Sequence, residues 1–231
     1  PGFGFKLFDD PAFGRASFGL GINYFSGLNG AVIGQEGATR SVEARVFEEL
    51  EGRARVVMGL AWEWGNWRFG FSYRQAFGVD FHNISFNHVA GTDINLNLNA
   101  TTLYSPHTLT WAVAWESGET VYEINIIESL WSYYDGPFVS MKSQLPLVGD
   151  MSAELPDARY DNTLSIRLGL QRPLTKQLQV RGGAAFETAL VGAQTGRTNL
   201  LDGHKLTLAG GLSGALTPRL RLHAHLRLQM L

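Results

Sequence analysis

The side chains in this chain that could do chemistry recur at alternate positions, each set between apolar or small neighbours. Arg167 stands between Ile166 and Leu168, and Arg181 between Val180 and Gly182. Arg221, His223, His225 and Arg227 interleave with leucine and alanine, and Arg68 and Arg74 with Trp67, Phe69 and Tyr73. A line of cations on one face suits an anionic partner. That partner is either the carboxylate of a ligand or an internal carboxylate such as Asp80 or Glu187. Catalysis has no comparable footing. Cysteine is absent, only six histidines occur, and neither His-Glu-x-x-His nor Gly-x-Ser-x-Gly is present. No catalytic residue, metal set or cofactor is therefore assigned, and the chain reads as a non-enzyme. His223 and His225 share a face at period two, but no third ligand accompanies them. Tyr133, Tyr134 and Asp135, following Trp131, read as a membrane girdle in preference to a carbohydrate platform.

Period two defines the elements that carry these residues. From Ala54, every second residue is apolar (Val56, Met58, Leu60, Trp62, Trp64), with Arg55, Gly59 and Glu63 among those between. Gly65-Asn66 makes a two-residue turn, and alternation resumes as Trp67, Phe69, Phe71 and Tyr73. Alternation means strands with one apolar face. Ten such strands are expected: around Phe3–Leu7 and Phe18–Tyr24, up to Trp64, from Trp67 toward Val89, from Asp93 to Trp115, from Tyr122, and around Leu164–Leu170, Leu178–Phe186, Leu206–Leu216 and Leu220–Leu228. Pro106 marks a kink or bulge in the fifth. A parity change toward Trp131 suggests a bulge near Ile127. Short connections alternate with long polar ones near residues 29–40, 82–93, 135–160 and 192–204.

These strands run ten residues or more, whereas a soluble sandwich uses about 5–6. Trp62, Trp64, Trp67 and Trp115 crowd the short turns, as an interfacial girdle would. Charged residues are only 17% of the chain and glycine is abundant at 27. The mean hydropathy of −0.05 excludes a helical membrane bundle but suits a barrel whose strands are half polar. The fold class is thus all-β, an antiparallel transmembrane β-barrel, with residues 1–231 as one domain. Apolar side chains face lipid, and Arg68, Arg74, Arg167, Arg181, Arg221, His223, His225 and Arg227 face the lumen. The net charge of −2 gives no reason to expect nucleic acid.

Ordered segments from about Ser17 to His225 resemble the FadL/TodX family of outer-membrane channels for long-chain fatty acids and other hydrophobic compounds. They are Trp67-Arg68-Phe69-Gly70-Phe71-Ser72-Tyr73-Arg74 with Val79-Asp80-Phe81, then Leu96-Asn97-Leu98 with Pro106-His107-Thr108-Leu109. Glu128-Ser129-Leu130-Trp131-Ser132 and Tyr160-Asp161-Asn162-Thr163-Leu164-Ser165-Ile166-Arg167-Leu168-Gly169 follow, and Asp202-Gly203-His204 completes the series. The resemblance implies a 14-stranded barrel with an N-terminal plug bearing an Asn-Pro-Ala signature. No such signature is visible, so the chain is expected to be a portion of a longer polypeptide. It also implies passive uptake of a hydrophobic molecule such as a fatty acid, in contact with membrane lipids, in the outer membrane of a Gram-negative bacterium. The alternative is a FadL-like barrel anchoring or scaffolding a larger envelope complex, with protein partners.

Overall fold

The computed structural model describes residues 1–36, 42–89, 92–134, 139–145, 149–154, 160–192, 202–217 and 220–231. Fourteen strands share one sheet. Ten of them form a continuous antiparallel wall: β1 (Gly2–Asp10), β2 (Gly14–Glu36), β3 (Val42–Trp64), β4 (Trp67–Arg74), β7 (His107–Ser117), β8 (Thr120–Leu130), β11 (Thr163–Pro173), β12 (Leu178–Glu187), β13 (Lys205–Thr217) and β14 (Leu220–Met230). The other four, β5 (Phe77–Val89), β6 (Thr92–Ser105), β9 (Val139–Leu145) and β10 (Gly149–Glu154), pair among themselves beyond one end of the wall. Among the described residues the wall is open, β1 pairing only with β2 and β14 only with β13. One turn of 3-10 helix at Trp131–Tyr133 is the only helix described.

Antiparallel partners point the same way, so the register assigns every side chain to a face. One unbroken row crosses all ten wall strands: Phe5, Phe18, Leu60, Phe71, Trp111, Ile126, Ile166, Phe186, Leu206, Met230. All ten are apolar. A neighbouring row on the other face reads Asp9, Arg15, Glu63, Arg68, Ala114, Glu123, Gly169, Gly183, Ala209, Arg227.

No second layer covers the apolar face. Only Ala16, Phe77 and Val191 are buried apolar residues among those described, while leucines, tryptophans and phenylalanines stay exposed all along the wall. A water-soluble sandwich of this size would seal those side chains in a dry core. The wall instead needs an apolar solvent.

Several expectations change on inspection. The fourth and fifth expected strands each divide, at Gln75-Ala76 and at Pro106. At the first break the Gln75 side chain stands in for the ladder, its Oε1 accepting from the Val56 amide at 3.0 Å while the Gln75 backbone N–H donates to the Val56 carbonyl. Pro106 ends β6, where its missing N–H costs no ladder bond. The bulge expected near Ile127 does not exist. β8 keeps one register from Thr120 to Leu130, and parity changes at Trp131 because the strand ends there in a 3-10 turn. Residues 29–36 and 82–89, read as loop, continue β2 and β5. Residues 139–145 and 149–154, expected within the loop 135–160, form β9 and β10. The stretch expected as a loop at 192–204 lies mostly outside the described residues.

After leaving the wall the chain crosses the polar face of β2 and β3. Phe77 packs on Phe25 with ring centroids 4.2 Å apart, and Arg53 Nη1 donates to the Gly78 carbonyl at 2.8 Å. Phe25 and Arg53 are register partners on that face. β5 then reaches the far edge of β2 and pairs with it in parallel over Val32–Gln35.

Candidate functional site

The polar face carries ion pairs on β1, β2, β4 and β7. Asp9 takes Lys6 at 2.8 Å and Arg15 at 3.6 Å, and Arg68 pairs with Glu116 at 2.5 Å. On β11, β12 and β14 three arginines have neutral partners and no carboxylate partner among the described residues. Arg167 Nε donates to Ser165 Oγ at 3.3 Å, Arg181 Nη2 to Gln179 Oε1 at 3.1 Å and Arg227 Nη2 to Gln229 Oε1 at 2.9 Å. Each acceptor is a neutral residue two positions away on the same strand and face.

The expectation that these arginines meet Glu187 or Asp80 therefore needs correction. Glu187 faces Lys205 across the β12–β13 ladder, and Lys205 Nζ reaches Glu187 Oε1 and Asp202 Oδ1, both at 3.3 Å. The ammonium tip sits between two carboxylates, so the nearest anionic charge is already taken. The Asp80 side chain lies outside the described residues. Neutral amide and hydroxyl partners hold the guanidinium groups without cancelling their charge.

Beneath these cations the polar face of β12 and β13 is built from small residues. Gly183, Ala209, Gly211 and Ser213 floor a recess of about 350 Å³ edged by Arg181, His223 and His225. The floor has no space for larger groups: a methyl on Gly183 would stand 2.9 Å from the Leu168 carbonyl, and one on Gly211 3.2 Å from that of Ala224. Ser213 Oγ and His223 Nδ1 are 2.8 Å apart. Arg221 adjoins the same recess, lining its turn-ward side with Arg181, Ser213 and His223. Of the eight ligand-facing candidates, Arg181, Arg221, His223 and His225 meet here, and Arg227 follows His225 on the same face of β14. Arg167 lies on β11, and Arg68 and Arg74 on β4, apart from the recess. Among the described residues no three His, Asp or Glu gather as a metal site.

On the apolar face, Trp64, Trp67, Trp115 and Tyr122 form a single register row, with ring centroids 5.8 Å apart for Trp67–Trp115 and 5.5 Å for Trp115–Tyr122. Trp62 lies on the same face, stacked on Trp64 at 6.0 Å and on Phe69 at 5.0 Å. The indole N–H groups of Trp62 and Trp64 donate to the carbonyls of Phe13 and Ala12 in the β1–β2 turn. Trp131, Tyr104, Tyr134 and Tyr160 form a separate aromatic cluster at the opposite end of the strands, with Tyr104 and Tyr134 centroids 4.4 Å apart.

A clasp that the sequence shows only as an acidic turn secures that end. Asp202 Oδ2 accepts from the amides of Leu190 (2.5 Å) and Val191 (3.0 Å). Burial pushes the Asp202 carboxyl up, but those two amides and Lys205 outweigh it and hold it below the usual carboxylate range.

A one-layer antiparallel wall with an apolar face, an aromatic row near its short turns and a polar opposite face is the wall of an outer-membrane-type β-barrel. Comparison with solved structures gives the type of barrel fold. The chain is similar to a Pseudomonas aeruginosa FadL homologue, with 12% identity and a TM-score of 0.59 over 99% of this chain and 57% of that one. It is also similar to the CymD monoaromatic hydrocarbon channel, with 18% identity and a TM-score of 0.52 over 95% of this chain and 52% of that one. The TodX deltaS2S3 mutant, a monoaromatic hydrocarbon channel, matches at 12% identity and a TM-score of 0.52, over 99% of this chain and 67% of that one. No family model and no curated protein matches the sequence. The fold is that of a FadL/TodX-type barrel, and the chain spans a little over half the length of the first two relatives.

Proposed function

We propose that this chain builds ten strands of a passive channel in the outer membrane of a Gram-negative bacterium, and that the channel admits hydrophobic molecules. Further strands close the open wall between β1 and β14, and residues 1–231 belong to that single barrel domain. The observation that carries this reading is the apolar row across ten strands, backed by a polar face with a small-residue recess. Long-chain fatty acids are the finer assignment. Their carboxylate has a partner in Arg181, Arg221 and Arg227, whose charge no carboxylate among the described residues cancels, and their tail needs only space. Trp62, Trp64, Trp67 and Trp115 anchor the wall at the lipid headgroups, and neither cofactor nor energy source enters the process.

The test is uptake by vesicles containing the heat-modifiable protein, supplied with a labelled long-chain fatty acid or a monoaromatic hydrocarbon. Both should enter faster than into empty vesicles. Replacing Arg181 and Arg227 with glutamine should slow the fatty acid severalfold and leave the hydrocarbon unchanged. Equal uptake by empty vesicles and by vesicles carrying folded protein would overturn the channel. Unchanged fatty-acid uptake in the double variant would remove the arginines from the ligand path.

A further inference from the structure

A second recess lies on the opposite, apolar face of the wall. Trp115, Tyr122, Leu168 and Leu170 wall one side of a groove of about 560 Å³, and Gly182 and Ala184 of β12 form its bed. The groove has room in it. A methyl on Gly182 would meet only Leu170 side-chain carbons at 3.8 Å, and one on Gly210, next along the row, would meet nothing within 4 Å. The glycines of the polar face, Gly183 and Gly211, are tightly approached by backbone.

Charge is arranged at the foot of this groove. Arg172 is the register partner of Val180, two residues before Gly182 on the same face. Val180 stands two residues inside β12, as Tyr122 stands two inside β8. Counted from its own short turn, Arg172 therefore lies level with the aromatic row. Arg172 is exposed, whereas Lys176 of the following turn lines the polar-side recess with Arg181 and Arg221. Residues 166–186 contain no Asp or Glu, and Arg172 has no carboxylate partner among the described residues.

We infer that this groove holds one acyl chain of a phospholipid from the leaflet on the short-turn side, with Arg172 at its phosphate. The inference rests on the membrane-wall reading above but concerns the outside of the wall, not the channel. Apolar walls take the chain, the aromatic level sets the depth of the headgroup, and a cation without a carboxylate partner selects an anionic one. A second copy of the protein would bring a second Arg172 against the first, which a phosphate would not.

The test uses the purified protein in mild detergent, exposed to mixed phosphatidylglycerol and phosphatidylethanolamine and examined by native mass spectrometry. The wild-type protein should retain phosphatidylglycerol. Gly182→Leu should lower retention about tenfold, the equivalent of two buried methylenes. Arg172→Gln, a change confined to the surface, should lower the preference for phosphatidylglycerol over phosphatidylethanolamine. Unchanged retention in both variants overturns the proposal. A wild-type dimer that Gly182→Leu converts to monomer, with lipid retention unaltered, also overturns it by giving the groove to a second copy. If alkaline carbonate strips the wild-type protein from membranes and it shows no heat-modifiable migration, the membrane-wall reading itself has failed.

Discussion

Ile126→Arg measures whether the row of apolar partners faces lipid. Ile126 pairs with Trp111 and Ile166 and lies four residues along β8 from Tyr122, a member of the aromatic row. At a rise of about 3.4 Å per residue and a tilt of about 40°, that places it about 10 Å above the headgroup level. The apolar band of such a wall is about 25 Å tall, so Ile126 sits close to the midplane. An arginine there should cost about 2–4 kcal/mol in a bilayer, against about 0–1 kcal/mol at Leu174, which lies in a short turn. Thr110 supplies the control for face. It adjoins Trp111 but points to the polar side, opposite Ser72 and Ile127, and Thr110→Arg should cost under about 1 kcal/mol because its charge stays hydrated. Urea unfolding in phospholipid vesicles, with linear extrapolation, gives all three values. Equal costs at Ile126 and Thr110 would refute the assignment of faces, and equal costs at Ile126 and Leu174 would refute the depth.

Three further outcomes follow from local geometry. Gly14 has φ +78°, and a methyl there would run into the Glu63 carbonyl. Gly14→Ala should therefore cost more than about 2 kcal/mol, against about 1–2 kcal/mol for Gly65→Ala at φ +57° with open space around it; equilibrium unfolding ranks the two. Asp202→Asn should expose the Leu190 and Val191 amides to hydrogen exchange, consistent with losing about 1–3 kcal/mol of local stability. Because the folded pKa of Asp202 is depressed, the clasp is intact above the unfolded carboxylate value of about 3.9 and is lost as pH falls through the lower folded value, so wild-type exchange at these amides should rise only in that acid range.

The wall was legible because a lipid-facing strand obeys one rule along its whole length. Phe18, Leu60, Phe71, Trp111, Ile126 and Ile166 fall at apolar parity in the sequence, and the ladder then joins them. β9 and β10 escaped notice because they are short, at seven and six residues, and are set between Pro137, Pro146 and Pro156, which read as loop punctuation. Gly182 and Gly210 fall at outward parity too, but a glycine carries no pattern of its own. Only the register, which sets Leu170 beside Gly182 and Leu226 beside Gly210, reveals a groove where the sequence shows a gap.

The arginine stripe was visible as a stripe, but its partners were not, because ion pairing depends on which strands adjoin. The last four wall strands carry Arg167, Arg181, Arg221 and Arg227 on the polar face, and of the acids nearby Glu187 and Asp202 both turn to Lys205. Lys205 is the β12–β13 register partner of Glu187 and lies three residues after Asp202, so it reaches both at little cost in chain entropy, whereas Arg167 lies diagonally offset on the next strand. Sequence alone places Glu187 at the right parity to serve either cation. Strand order gives it to the lysine and leaves the guanidinium groups with Ser165, Gln179 and Gln229. Those neutral partners fix the arginine side chains while leaving their charge available, which is what the proposed contact with a ligand carboxylate requires.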